Sequence, residues 1–201
     1  FGSRGGYRPS KEELETENVE AVATGAATNL DRHIRNMAGF GVPVIVSINK
    51  FASETDAEIK ALSDAAHASG AKAVTITEVH SKGGEGGEDL AKAVVKAVQD
   101  HVAAGRPFTP LFVNDAPVME KVEAIATRMY KAKEVVVEAA AKKQLDKLNS
   151  WGYGNLPVCM AKTQYSFSHD AGKLGAPSDF TLPIREFRLN SGAGFIVAIL
   201  G

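Results

Sequence analysis

Apolar residues in this chain recur at two different spacings, and each change of spacing marks the edge of a predicted element. Residues 9–13, Pro-Ser-Lys-Glu-Glu, read as a helix start, and Val19, Val22, Leu30, Ile34 and Met37 then follow at roughly helical intervals until Gly39 and Gly41. Residues 42–48 form an unbroken run rich in β-branched side chains, the pattern of a strand buried on both faces of a parallel sheet. Thr55 and Glu58 have capping-box spacing, Ile59, Leu62 and Ala66 supply one apolar face, and Gly70 closes that helix. Residues 73–77 return to the strand pattern, which makes a right-handed βαβ unit the expected arrangement. A loop with four glycines in five positions follows, and Glu88 and Asp89 open a helix through Leu90, Val94, Ala97 and Val98.

At Gly105, Arg106 and Pro107 the pattern changes, and the expected division is into residues 1–105 and 106–201. Beyond it, Leu111 and Phe112 read as a short strand, and Val118, Val122, Ile125 and Met129 as the stripe of a helix. Alanines and lysines over 138–148 continue the helical character until Gly152 and Gly154. Residues 156–161 read as a buried strand, and 180–189 and 194–200 as two more. The expected fold class is therefore α/β: a mostly parallel sheet with flanking helices, then a smaller C-terminal α/β subdomain.

Composition narrows the function classes. A formal net charge of −1 gives no bulk electrostatic reason to expect nucleic acid or a membrane surface as partner, and small anionic metabolites remain open. No run approaches the ~18 apolar residues of a membrane span. Cys159 is the single cysteine, so an internal disulfide is excluded, and a reducing, cytoplasmic setting is the simplest expectation. The five histidines, at 33, 67, 80, 101 and 169, show no metal-ligand spacing, and no metal site is expected.

The candidate chemistry lies at the strand ends. Asn49 and Lys50 close the first strand where an amide can read a nucleotide base or simply cap the turn. Phe51 and His80 follow two successive strands, so a parallel pairing puts both at one carboxyl edge, where flat rings either sandwich an aromatic ligand or sit as ordinary surface residues. His80 belongs to residues 78–87, Glu-Val-His-Ser-Lys-Gly-Gly-Glu-Gly-Gly, and such glycine density lets the backbone come close to a ligand. Lys82 and Glu85 there either meet ligand groups or are solvated. Residues 162–166, Lys-Thr-Gln-Tyr-Ser, form a second polar cluster where the chain leaves a strand. No Gly-x-x-x-x-Gly-Lys-Ser/Thr loop and no Gly-x-Ser-x-Gly elbow is present. A guanine-reading pattern needs an aspartate where Ala52 stands.

Taken together, residues 42–51, 78–87 and 156–166, with Arg185-Glu186 and the run 191–195, closely resemble formate–tetrahydrofolate ligases in order and spacing. The resemblance covers almost the whole chain. It implies ATP-dependent ligation of formate to tetrahydrofolate through formyl phosphate, with ATP entering as its magnesium complex, on a P-loop NTPase-like core that assembles as a homotetramer. It also implies that Phe51 and His80 stack the folate ring, that Glu78, Lys82, Gly83 and Gly84 shape the pocket, and that Asn49 and Lys50 lie at the nucleotide edge. Family members commonly have tryptophan at the position of His80, and an aspartate at that of Glu54. They carry their phosphate-binding lysine loop upstream of the region matched here, so the chain resembles the C-terminal part of a longer enzyme. A non-catalytic ligand-binding or interaction protein of the same fold is the alternative.

Overall fold

A computed structural model describes residues 10–163 and 167–200, apart from the side chain of Leu14. Residues Gln164, Tyr165 and Ser166 of the second polar cluster lie outside the described residues. The chain forms two compact units, Phe1–Thr109 and Pro110–Gly201.

In the first unit the opening helical stretch is divided. Helix α1 (Lys11–Glu15) begins at a Ser10/Glu13 capping box, and its C-cap, Thr16, is already extended. Asn18 then caps α2 (Val19–Gly25), which passes through a π turn (Ala26–Leu30) into α3 (Asp31–Ala38). Of the predicted stripe only Ile34 is fully buried; Val19 and Met37 are exposed. Gly41 has φ +78°, and a Cβ there would come within 2.9 Å of the Pro107 carbonyl oxygen. Thr109 N–H donates to Phe40 O at 2.8 Å, and the Phe40 and Phe108 rings stack with centroids 5.5 Å apart. Residues 107–109 are thereby held against the end of α3.

Strand β1 (Ile45–Asn49) pairs in parallel with β2 (Ala73–Thr77), from Ile45 opposite Ala73 to Asn49 opposite Thr77. Helix α4 (Asp56–Ala68) makes the crossover, and its Thr55/Glu58 capping box forms as expected. Ile34, Ala66 and Ala71 make a small core, with Leu30, Val44, Val46 and Val74 packed against it. The continuous apolar run is not sandwiched, however: Ile48 alone in β1 is buried, because a two-stranded sheet has no central strand. After β2 come α5 (Val79–Lys82), a 3₁₀ turn (Gly83–Gly87) and α6 (Glu88–Ala103).

The second unit is built differently. Helix α7 (Val118–Ala124) runs through a π turn (Ile125–Met129) to β3 (Glu134–Val137), α8 (Ala139–Ser150), β4 (Val158–Ala161), β5 (Thr181–Asn190) and β6 (Phe195–Leu200). The sheet order is β3-β5-β6-β4, parallel for β3/β5 and β4/β6 and antiparallel for β5/β6. Two expectations are corrected here. Leu111 and Phe112 form no strand, and β3, which the alanine- and lysine-rich surroundings concealed, is one. Three successive valines hide its alternation: Val135 and Val137 pack on the core while Val136 faces outward.

Leu182, Ile184, Phe187, Ile196, Ala198 and Leu200 meet Val118, Val122, Leu145 and Leu148 in one core. The buried positions of β5 change parity between Ile184 and Phe187 because the register shifts between Ile184 and Glu186, a bulge that re-aims the strand. Lys121 is also fully buried. Its ammonium donates to the carbonyl oxygens of Asn114 (2.6 Å), Asn155 (2.7 Å) and Leu156 (3.2 Å), fastening the segment before α7 to the turn before β4. Burial pushes this amine below the ordinary lysine value.

Candidate functional site

Parallel pairing decides which residues share an edge. Asn49 lies opposite Thr77, and the ladder runs one bond further, from Lys50 N–H to Thr77 O at 2.9 Å. Phe51 and His80 therefore leave the sheet at the same carboxyl edge, Phe51 directly after β1 and His80 in the first turn of α5. Both are exposed, Phe51 by 54%. Phe51 sits on a turn tied by the Glu54 carboxylate. That tie is reciprocal: Phe51 N–H donates to Glu54 Oε2 at 3.0 Å, and Glu54 N–H returns to Phe51 O at 3.2 Å.

The glycine segment is more ordered than its composition suggests. Only Gly83 takes a positive φ, +61°, between α5 and the 3₁₀ turn. Gly86 is required for a different reason. A Cβ there would lie 2.6 Å from the carbonyl carbon and oxygen of Glu78 and 2.9 Å from Val79 N, all backbone atoms. The close approach lets Glu78 N–H donate to Gly86 O at 3.0 Å and folds the segment back onto the end of β2. Gly84, by contrast, has nothing within 4 Å of a built Cβ and is exposed.

Charge at this edge is arranged in pairs. Lys82 Nζ meets Glu78 Oε2 at 2.5 Å, one helical turn away, and Lys50 Nζ lies 3.6 Å from Asp56 Oδ1. The hydrogen bond from Lys82, with the weaker charges of Lys82 and Lys50, holds the Glu78 carboxyl below the usual carboxylate range. The same bond raises Lys82 above the ordinary lysine value. Both groups are thus ionised across the neutral range, giving a fixed carboxylate that accepts from N–H donors and a fixed ammonium that donates. Beneath them Ser47 and Thr77 share a 3.0 Å hydroxyl hydrogen bond, and Thr77 is buried. Among the described residues no three His, Cys, Asp or Glu side chains gather to hold a metal ion.

Asn49, Lys50, Phe51, Glu78, His80, Lys82, Gly83 and Gly84 therefore all fall along the strand ends and turns of one edge. Glu54 and Asp56 belong to the same edge and escaped the reading of the sequence as site residues, while Gly86, inside the glycine loop, shows its particular role only in the fold. Asp56 sits six residues from its lysine, a spacing with no helical signature, and the i,i+4 pair of Glu78 and Lys82 appears only because the start of the glycine segment is helical.

The fold defines an α/β protein whose first unit presents a strand-turn-helix edge beside a parallel strand pair. The sequence matches the formate–tetrahydrofolate ligase family over residues 2–201, and the chain belongs to that family. It is 47% identical over 192 residues to the formate–tetrahydrofolate ligase of Granulibacter bethesdensis, covering 96% of this chain and 33% of that protein. It is 48% identical over 191 residues to that of Maricaulis maris (95% and 34%), and 47% identical over 192 residues to that of Ruegeria sp. (96% and 34%). The chain spans about a third of the length of these relatives.

Proposed function

We propose that this chain supplies the folate-holding edge of an enzyme that ligates formate to tetrahydrofolate at the expense of ATP, by way of formyl phosphate. The reading assigns residues 1–105 to part of a P-loop NTPase-like nucleotide- and folate-binding domain and residues 106–201 to a smaller attached subdomain. Phe51 and His80 stack the pterin from two sides, Glu78 and Lys82 face its polar rim, and the Gly83–Gly84 turn leaves room for it. Asn49 and Lys50 border the adenine. The observation that carries the reading is the shared carboxyl edge of β1 and β2, from which both rings project beside a paired carboxylate and ammonium.

Such an edge works by positioning. A stacked, hydrogen-bonded folate holds its nucleophilic nitrogen in line with the activated formyl carbon, and orientation of this kind lowers a barrier by several kcal/mol, up to about 10. Magnesium accompanies the ATP phosphates, and the residues described here do not gather donors for it. The phosphate chemistry rests on residues outside this chain. The complete enzyme is proposed to be cytoplasmic and homotetrameric.

Phe51→Ala in the complete enzyme is expected to raise the KM for tetrahydrofolate about tenfold or more while leaving that for formate within twofold, as the loss of an aromatic contact of ~1–1.5 kcal/mol plus its buried area predicts. Steady-state kinetics with each substrate varied in turn checks this. Equal effects on both constants would remove the stacking role.

A further inference from the structure

The exposed phenylalanine and tryptophan side chains among the described residues are Phe51, Phe108 and Trp151, and they are held in different ways. The Phe108 ring stacks on Phe40 with the two planes 4° apart, and Lys147 Nζ stands 4.6 Å from the centroid of the Trp151 ring. The Phe51 ring meets neither another ring nor an ammonium among the described residues. A side chain this open has little packing to choose its direction, so the backbone at residue 51 sets it.

That backbone is fixed from Glu54. The β1–β2 ladder ends with Lys50 N–H on Thr77 O, which leaves the Phe51 amide as the first donor beyond the sheet. Glu54 Oε2 accepts from it at 3.0 Å, while Glu54 N–H closes the turn on Phe51 O at 3.2 Å across Ala52 and Ser53. Both of those small residues are exposed, so packing does not hold the turn. Glu54 is itself half-buried and directly precedes Thr55, the cap of α4. Asp56, the first residue of that helix, faces the Lys50 ammonium at 3.6 Å. The residues on both sides of Phe51 are thereby tied to the start of α4, which is anchored by its buried Ile59 and Ala66.

We propose that Glu54 is a positioning residue for tetrahydrofolate: its carboxylate fixes the Phe51 amide and so the angle at which the ring leaves the edge. The inference rests on the reading that Phe51 stacks the pterin. Glu54 acts through the backbone of Phe51 and needs no contact with the ligand. Stacking depends on the relative orientation of two planes, so a ring free to swing makes a poorer contact and must be ordered on binding.

In the complete enzyme, Glu54→Ala is expected to raise the KM for tetrahydrofolate about fivefold, the share of one charge-assisted hydrogen bond, with kcat and the KM for formate within about twofold. Glu54→Gln, which keeps an acceptor oxygen at the same reach, is expected to restore the tetrahydrofolate KM to within about twofold. The effects of Glu54→Ala and Phe51→Ala should not multiply: the double variant is expected within about twofold of Phe51→Ala alone, because the carboxylate then positions no ring. Hydrogen–deuterium exchange of the ligand-free enzyme reads the same bond directly, with the Phe51 amide exchanging about tenfold faster in Glu54→Ala. The positioning role is overturned if Phe51→Ala shows its selective effect while Glu54→Ala does not, or if exchange at Phe51 is unchanged. It is equally overturned if Glu54→Ala shifts kcat and both KM values together, if glutamine restores nothing, or if the two effects multiply. Should Phe51→Ala itself leave the tetrahydrofolate KM unchanged, the stacking reading falls and this inference with it; faster exchange in Glu54→Ala would then show a bond that serves the turn alone.

Discussion

The two units differ in how much apolar side chain they bury and in how they pair their charges. The second closes a four-stranded sheet over a core of fourteen buried apolar residues, whereas the first wraps a two-stranded sheet around a cluster of three. In the second unit the buried ammonium of Lys121 is satisfied by three carbonyls, and among the described residues no lysine there is paired with a carboxylate. The first unit does the reverse, with a thin core and a rim of paired charges at the carboxyl edge. Burial of side chains scales with the stability of an element, so the Phe51–His80 edge sits on the unit of this chain with the smaller buried cluster behind it. Its shape is therefore held by local devices: a glycine where backbones touch, a carboxylate closing a turn, a capping box.

If that contrast is right, the largest single loss should come from the second unit. Lys121→Met retains an apolar stem but strands the three carbonyls of Asn114, Asn155 and Leu156, and denaturant unfolding should show a loss of roughly 3 kcal/mol or more. A change below about 1 kcal/mol would mean that water replaces the ammonium, and the fastening role would fail. Next comes Gly86→Ala, whose Cβ meets backbone atoms that cannot swing aside. A cost of about 1–3 kcal/mol is expected, together with weakened tetrahydrofolate binding, while Gly84→Ala should be tolerated in both assays. Equal tolerance at the two glycines would erase the argument for a tight approach.

The smallest effect concerns pH. Backbone hydrogen bonds from Asn18 and Thr55 hold Glu58 below its ordinary value of 4.5. A carboxyl with a depressed folded pKa stabilises above its unfolded value, and that contribution is lost as pH falls through the folded pKa. The first unit should accordingly lose stability below about pH 4.5, and Glu58→Gln should flatten that part of the profile. Parallel acid melts of the two proteins would show it, and coincident slopes would count against the linkage.

What could be read from the sequence follows the same division. The Thr55/Glu58 box, the two C-terminal strands and the shared edge of Phe51 and His80 were legible, because each depends on spacing within a few residues or on one parallel pairing. The run at 42–48 was read as sandwiched because composition reports how apolar a strand is, not how many neighbours it has. Strand β3 was missed since three valines in a row mask a period of two. The glycine segment was read as an open loop and is a 3₁₀ turn; that Gly86 matters for contact and Gly83 for φ emerges only once the chain folds back on Glu78.

The carboxylate of Glu58 caps α4 through Thr55 and also accepts the amide of Asn18, forty residues earlier, where α2 begins. Two helices that never touch in sequence thus share one rivet. A substitution that displaces the Glu58 carboxylate would therefore loosen the start of α2 together with that of α4.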